Sequence, residues 1–544
     1  MSRLVSAALL SCLVAACGGE DVAPGLPDGG ICTGVTSCLP ADAAPDAPPP
    51  GPAFAFDDVH GVPNLDNDDG SQRDWEQPLF AGDNDLSTLV LPGDRLALAG
   101  SEVQLSLSGD TSFVRVYRDG ELLLGAGASA TAVTMPVDGS DVELAIEFGN
   151  YLATAELAIA GGGREATVTL QAAPLIMNHH LQPAEHVWVV RVNGNGSMVD
   201  AFATTLGSRF TAVSGGIVGG DVWIQDEFEF ATAIGPDDQR LDIVIDSIRN
   251  RGLNGYAQSA WVGPDTIAQT WGNPQFRTTY DSFGNLEASP PVTVNGVAYP
   301  FGKIYYGRVG NTGLNTTLAS FLASQQVQAP FEIPTSWLCV GHVDEFSSFV
   351  PDPSSPKGFK LVMADVPSAW ALLESLPASR SIPLYGQDHG YSTVGALLGD
   401  ANLVALNNEI QETYLDPITE TFKAELGLTD ADIIRIPSLF EEIGNCGGRV
   451  AALVPGMVNL VVADVGQTTH IFTADPFFRS TTNQASDPFI TAFTQAMPAG
   501  TQVHYVDDWD VYHLGLGEVH CGTNVRRTPT ASWWSDAPHL LGSN

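Results

Sequence analysis

Basic side chains are scarce in this chain. Its 544 residues hold 23 Lys and Arg against 63 Asp and Glu, a formal net charge of −40. That balance excludes a nucleic-acid binder held by phosphate contacts, and it repels anionic membrane surfaces. It suits divalent cations and basic substrates, or plain solubility outside a cell. Long apolar runs are also missing: no segment reaches the roughly 20 residues that a spanning helix needs. Cysteine is sparse, with seven in all.

The one apolar N-terminal run, Leu4 to Leu13, follows a single basic residue, Arg3, and is too short to span. It leads into Val14-Ala15-Ala16-Cys17, which resembles a bacterial lipobox. The resemblance implies a signal peptide over 1–16, cleavage before Cys17 and a lipid on its sulfur, with ordinary signal cleavage nearby as the alternative. The chain is then expected to be an exported lipoprotein on the outer membrane or surface of a Gram-negative bacterium, tied to the membrane by that lipid. Residues 17–52, with Ala44-Pro45-Asp46-Ala47-Pro48-Pro49-Pro50, bury no core and read as an extended tether. Cys32 and Cys38 within it are expected to pair locally. With Cys12 removed and Cys17 lipidated, Cys339, Cys446 and Cys521 remain, an odd set for an exported protein. Cys339 and Cys446 are expected to be buried, inert thiols, with oxidative coupling of Cys339 as the alternative.

Residues 53–172 read as all-β. Ser87 to Leu91, Val103 to Ser108, Phe113 to Tyr117, Val142 to Phe148 and Leu152 to Ala160 alternate or carry β-branched residues. Turn pairs such as Asp119-Gly120 separate them, which predicts a sandwich. From Ala173 to the end at 544 the pattern is mixed α/β. Apolar strands at Val187 to Val192 and Leu241 to Ile245 alternate with helical stretches at Leu314 to Gln326 and Leu403 to Leu426.

Several segments of this second region carry chemistry. In Gln225-Asp226-Glu227-Phe228-Glu229, a strand places Gln225, Glu227 and Glu229 on one oxygen-rich face suited to a hard cation, with Asp226 opposite. Asp246-Ser247-Ile248-Arg249-Asn250-Arg251 follows an apolar strand and is dense in oxygen donors. Asp281 to Pro291 is a loop whose carbonyls and Glu287 suit a calcium shell. His342 and Asp344 share a face if their segment is a strand, which suits acid–base work beside a charge-binding carboxylate. Cys521 sits in a polar, Gly-bounded stretch and is a candidate nucleophile. A random acidic strand, a generic turn, a structural histidine or a core thiol is the bland alternative for each.

Taken together these segments resemble the signature blocks of the peptidylarginine deiminases. They run in family order across 173–536: Trp223-Ile224-Gln225-Asp226-Glu227, Arg249-Asn250-Arg251-Gly252-Leu253, Asp281 to Glu287, Ser289 to Val294, Gly341-His342-Val343-Asp344-Glu345-Phe346, and Gly517 to Arg527. The resemblance implies a pentein-type α/β propeller of five ββαβ units over 173–544, preceded by an immunoglobulin-like β-sandwich. It implies calcium-dependent hydrolysis of protein arginine to citrulline through a thiouronium intermediate. Cys521 matches the nucleophile, His342 the acid–base, and Asp226 and Asp344 the guanidinium-binding carboxylates. Trp223 matches the stacking tryptophan, and Arg251 the arginine that holds the substrate's peptide carbonyls. One implied calcium site takes Gln225, Glu229, Glu287 and the carbonyls of Phe283 and Leu286. The other takes Glu227, Asp246, Ser247 and Asn250. Asn64 to Gly70 and Asp83-Asn84-Asp85 resemble the family's acidic calcium loops more loosely.

The family's first N-terminal domain is expected to be replaced here by the lipoprotein tether, and Val222 and Gly515 stand where vertebrate members often carry polar or basic residues. Two other readings compete. One is a guanidino-modifying pentein acting on free arginine or agmatine, or as an amidinotransferase. The other is a calcium-binding surface lipoprotein without turnover.

Overall fold

The computed structural model describes residues 53–68, 70, 73–77, 85–382 and 390–542. The segment around Cys17, the tether, the Cys32 and Cys38 pair, and Asp69, Asp83 and Asn84 of the acidic loops lie outside them. No helix among the described residues is long and apolar enough to cross a membrane.

The first module is built from two sheets. Strand Ser87–Leu91 alternates buried and exposed along its length and pairs antiparallel with Val142–Phe148, which in turn pairs with Val114–Arg118. The second sheet centres on Thr154–Gly161, flanked by Glu102–Gly109 and Arg164–Ala172. One apolar core, with Leu105, Val116, Leu144, Ile146, Leu157 and Leu170, is shared by both sheets. Glu121–Gly125, Ala132–Pro136 and Arg164–Ala172 are strands the alternation did not reveal, because polar and small residues interrupt their apolar faces.

A buried polar network fastens the acidic loop to this module. Glu147 accepts hydrogen bonds from Arg115 Nη1 (3.0 Å), Tyr117 Oη (2.7 Å) and Asn64 Nδ2 (3.1 Å). Arg115 lies 3.8 Å over the Trp75 ring and donates to the Trp75 carbonyl at 2.9 Å. Removing one member of such a network leaves a buried charge without its counter-ion. Glu147→Ala is therefore expected to lower unfolding stability by about 3–5 kcal/mol, read from urea denaturation. A change below about 1 kcal/mol would mean that water reaches Arg115.

The second module repeats one arrangement five times among the described residues. A strand pairs antiparallel with a second, a helical connection follows, and a third strand returns parallel to the second. The units are Phe228–Ile234, Arg240–Asp246 and Thr266–Gln269; Leu286–Ala288, Ile304–Val309 and Phe331–Pro334; Ser347–Pro351, Phe359–Asp365 and Ile433–Pro437; and Val461–Val465, Thr468–Ala474 and Gln502–Val506. The fifth takes its first strand from the far end of the chain: Thr523–Arg527 pairs with Ala184–Arg191, which runs parallel to Phe210–Ser214. Central strands such as Arg240–Asp246 are buried almost throughout. That accounts for their continuous apolar character, since neither face meets water.

Local structure departs from the sequence reading in four places. Ile224–Glu227 is a single helical turn, and the strand begins only at Phe228. Gln225, Glu227 and Glu229 therefore do not share a strand face. Val343–Glu345 is a 3-10 turn, so His342 and Asp344 do not share one either; the Glu345 carboxylate accepts the Gly341 and His342 N–H groups (3.0 and 2.8 Å) and holds the turn. Cys339 and Cys446 form a disulfide, with Cα atoms 5.5 Å apart, instead of two inert thiols. The backbone prepares it: Cys339 N–H donates to the Val450 carbonyl at 2.8 Å, bringing the Val450–Ala452 strand and its preceding loop alongside. The helical stretch expected from Leu403 to Leu426 is two helices, Ala401–Ile410 and Asp416–Leu426, joined through a π turn at Gln411–Leu415. Pro417 lacks the N–H that a continuous helix would use there.

Candidate active site

The five units bring five unlike segments to one place. Each segment immediately precedes the first strand of its unit. Asp226 stands two residues before Phe228, Gly284 before Leu286, Glu345 before Ser347, Asn459 before Val461 and Cys521 before Thr523. Repetition of the fold thus converts positions far apart in sequence into neighbours.

Cys521 is buried, at 4% exposure, and is the free cysteine among the described residues. Its Sγ lies 3.2 Å from Asp344 Oδ2 and 3.3 Å from Asn459 Nδ2. Gln225 N–H donates to its carbonyl at 3.3 Å, linking the Cys521 segment to the Asp226 turn. His342 Nε2 meets the Thr279 carbonyl at 3.0 Å, and its Nδ1 lies 3.6 Å from Asp226 Oδ1. Gly284 packs against these groups: a Cβ there would fall 2.9 Å from Asp344 Oδ2 and 3.0 Å from His342 Nδ1. Trp223 forms a wall beside Gly515 and Gly517, where a Cβ on Gly517 would meet the indole at 2.5 Å and Sγ at 3.3 Å.

Arg251 reaches the same turn. Its guanidinium pairs with Asp226 Oδ2 at 3.1 Å and with Asp221 Oδ2 at 3.3 Å. One of the carboxylates read as a guanidinium binder therefore already holds a guanidinium, the chain's own.

Burial pushes the Cys521 thiol well above its ordinary value, and the Asp344 and Asp226 charges push it further. Burial alone would raise Asp344 too, but the His520 hydrogen bond and the charges of His520 and His342 leave it below the usual carboxylate range. The pocket is thus arranged to keep a carboxylate ionised beside a protonated thiol, a state that an incoming cation would relieve.

The residues read as calcium ligands fall into two groups around the same turn. In the first, Gln225 Nε2 contacts Glu229 Oε2 at 2.7 Å and the Phe283 carbonyl at 3.4 Å, while Glu287 starts the adjoining strand with Leu286. Glu229 is held well above the carboxylate range by burial and by the Glu287 charge. In the second, both carboxylate oxygens of buried Glu227 and Asp246 Oδ1 lack a hydrogen-bond partner. Ser247 is buried between them and donates to the Asp281 carbonyl at 2.6 Å, and Asn250 is exposed at the end of the same loop. Glu227 is raised to about 8 by burial and by the Asp246 charge. Buried carboxylates without donors fit a hard divalent cation, which takes oxygen ligands and returns the charge that burial removes. A further acidic group, Asp66, Asp68 and Asp265, has oxygens within 4.8 Å of one another.

Asn459 is the functional candidate that sequence reading missed. Its Oδ1 accepts the N–H groups of His520 (2.8 Å) and Cys521 (3.3 Å), and its Nδ2 donates to the Asp344 carbonyl (3.1 Å) and Sγ. It ties the Cys521 and Asp344 segments into register. Nothing in Met457-Val458-Asn459-Leu460 signals this, because a lone Asn in an apolar run reads as a turn residue. Asn459→Ala is expected to cut kcat by about 10²-fold, since small misplacements of a reacting group cost that much. Steady-state product formation measures this, and an unchanged kcat would remove the positioning role.

A family model described as protein-arginine deiminase matches residues 164–535. The rat (Rattus norvegicus) protein-arginine deiminase type-4 is 35% identical over 388 residues. Human (Homo sapiens) type-3 and type-1 enzymes of the same name are 35% identical over 397 residues and 36% over 392. Each match covers 68% of this chain and 57% of the relative, so the chain spans little more than half of those proteins.

Proposed function

The chain belongs to the protein-arginine deiminase family, and from that premise we propose that it hydrolyses arginine side chains of proteins or peptides to citrulline, releasing ammonia. One observation carries the reading. A sulfur nucleophile lies 3.2 Å from one buried carboxylate, while a second carboxylate nearby is already paired with a guanidinium at 3.1 Å.

The substrate's guanidinium is planar and permanently charged, with forked donors that match carboxylates. It takes the place of Arg251 on Asp226 and reaches Asp344, and its charge favours the Cys521 thiolate, whose proton passes to His342. The sulfur attacks the central carbon and forms a C–S bond. A C–N bond then breaks, and His342 gives a proton to the leaving ammonia. Water adds to the thiouronium carbon, with His342 taking one of its protons. The C–S bond breaks to return the thiolate, and the last proton passes to the released ammonia. The ureido product is neutral and loses its charge-assisted hold on the carboxylates.

Calcium is the proposed cofactor. Gln225, Glu229, Glu287 and the Phe283 and Leu286 carbonyls would hold one ion, and Glu227, Asp246, Ser247 and Asn250 another. Bound there, calcium supplies positive charge that fixes the turn carrying Asp226. The acidic loops around Asp66 and Asp265 suit further ions. We read the five units as a pseudo-fivefold propeller of the pentein type and the two-sheet module as an immunoglobulin-like sandwich. Export and lipidation at Cys17 rest on the lipobox resemblance alone.

The test is citrulline formation on a blocked arginine peptide and on free arginine, each titrated with calcium. Calcium-dependent turnover of the peptide with little on free arginine is expected. Preference for free arginine would move the assignment to the small-molecule pentein enzymes.

A further inference from the structure

Two buried histidines stand beside Glu287: His520, which also bonds Asp344, and His180, which takes no part in the chemistry above. His180 is 8% exposed and His520 is 6% exposed. His180 Nε2 lies 3.1 Å from Glu287 Oε2, and His520 Nε2 lies 3.6 Å from Glu287 Oε1. These contacts are near in distance but not in hydrogen-bond alignment: His180 Nε2 and Glu287 Oε1 have no hydrogen-bond partner. The two rings are 5.1 Å apart and tilted by 50°, so both Nε2 atoms converge on one carboxylate. Nitrogen and oxygen ligand atoms of all three residues lie within 4.8 Å of one another.

The far side of each ring is equally informative. His180 Nδ1 is held by Ser348 Oγ at 3.1 Å, and His520 Nδ1 by Asp344 Oδ2 at 3.0 Å. A metal-binding histidine characteristically has its second nitrogen anchored in this way, which fixes the tautomer and aims the other nitrogen. Two imidazoles and one carboxylate suit a borderline transition ion, whereas calcium prefers oxygen throughout. The 3.1 and 3.6 Å separations are of the size that two ligands about 2.0–2.2 Å from one ion have.

We infer that His180, Glu287 and His520 form a binding site for one divalent transition ion of the zinc class, which competes with calcium for Glu287. The site itself stands on its own geometry; the competition rests on the calcium reading of Glu287 given above.

Zinc chloride titrated into the full chain by calorimetry tests the site, with His180→Asn and Cys521→Ala alongside. One equivalent is expected to bind the parent protein. His180→Asn should weaken it at least about tenfold, and Cys521→Ala should retain it. Zinc K-edge fine structure on the parent protein gives an answer that depends on no variant. Imidazole scattering without a sulfur shell at about 2.3 Å is expected. Absence of binding, retention in His180→Asn, loss in Cys521→Ala or a sulfur shell would each overturn the site. Excess calcium should weaken zinc binding. Zinc affinity indifferent to calcium would overturn the competition, and with it the calcium role of Glu287, while leaving the histidine site in place.

Discussion

Cys521→Ser is expected to reduce ammonia release from an arginine peptide by about 10⁴-fold or more, in line with losses measured on removing a catalytic nucleophile. Size is not the cause, since serine is the smaller residue and makes the same backbone contacts to Asn459. The difference is ionisation. Even the thiol is held protonated by burial and by Asp344 and Asp226, and a hydroxyl in the same place is far harder to ionise. The same argument fixes a sign for pH. Because the thiol is raised, alkylation of the free enzyme by iodoacetamide should be slow near pH 7 and should speed up as pH rises towards the raised value. A guanidinium bound to Asp226 and Asp344 brings positive charge next to the sulfur, so turnover should not require that alkaline pH. Rapid alkylation of the free enzyme at neutral pH would show that the sulfur is ionised before substrate arrives. Substantial turnover by the serine variant, with the fold confirmed by circular dichroism, would remove Cys521 from the chemistry.

Much of this site was legible in sequence because its residues come in compact blocks. The segments holding Asp226, His342, Asp344 and Cys521 were each visible, and the structure brings them together. Their local conformation was not visible. Alternating acidic and apolar residues from Gln225 to Glu229 imitate a strand, yet the chain makes one helical turn before the strand starts. The turn matters, since it directs Asp226 to His342 and Arg251 while leaving Glu227 with Asp246 and Ser247. The fivefold equivalence was hidden for a different reason. The five segments occupy the same place in their units but carry Asp, Gly, Glu, Asn and Cys there, so no residue pattern repeats. Asn459 and His180 were missed because their roles depend on neighbours more than sixty residues away in sequence. The Cys339–Cys446 pairing, across 107 residues, is of the same kind.

Glu227→Gln should move stability and activity in opposite directions. In the metal-free chain Glu227 is buried, lacks hydrogen-bond donors and faces the Asp246 charge, and it is raised to about 8. A group raised in the folded state contributes stability below its unfolded value of about 4.3 and loses it as pH rises through the folded value. At pH 8.5 the metal-free protein therefore carries a cost that a neutral amide of the same shape does not. Glu227→Gln is expected to raise the unfolding free energy of the chelator-treated chain, read from urea denaturation, by about 1–3 kcal/mol at that pH, and by much less at pH 5. Calcium should reverse the order. The carboxylates that oppose folding when bare are the ones a dication needs, and exchanging one for an amide removes both charge and a bidentate ligand. The variant should need at least about tenfold more calcium for half-maximal turnover, and chelation should abolish turnover in the parent protein. A purely structural Glu227 predicts one sign for both measurements. A variant less stable without calcium at pH 8.5, or equally sensitive to calcium in the turnover assay, would place the ion elsewhere. The opposite signs follow from one arrangement: acidic residues buried without donors, on the turn that also carries Asp226, exchange folding stability for a site that is complete only when cationic charge is bound.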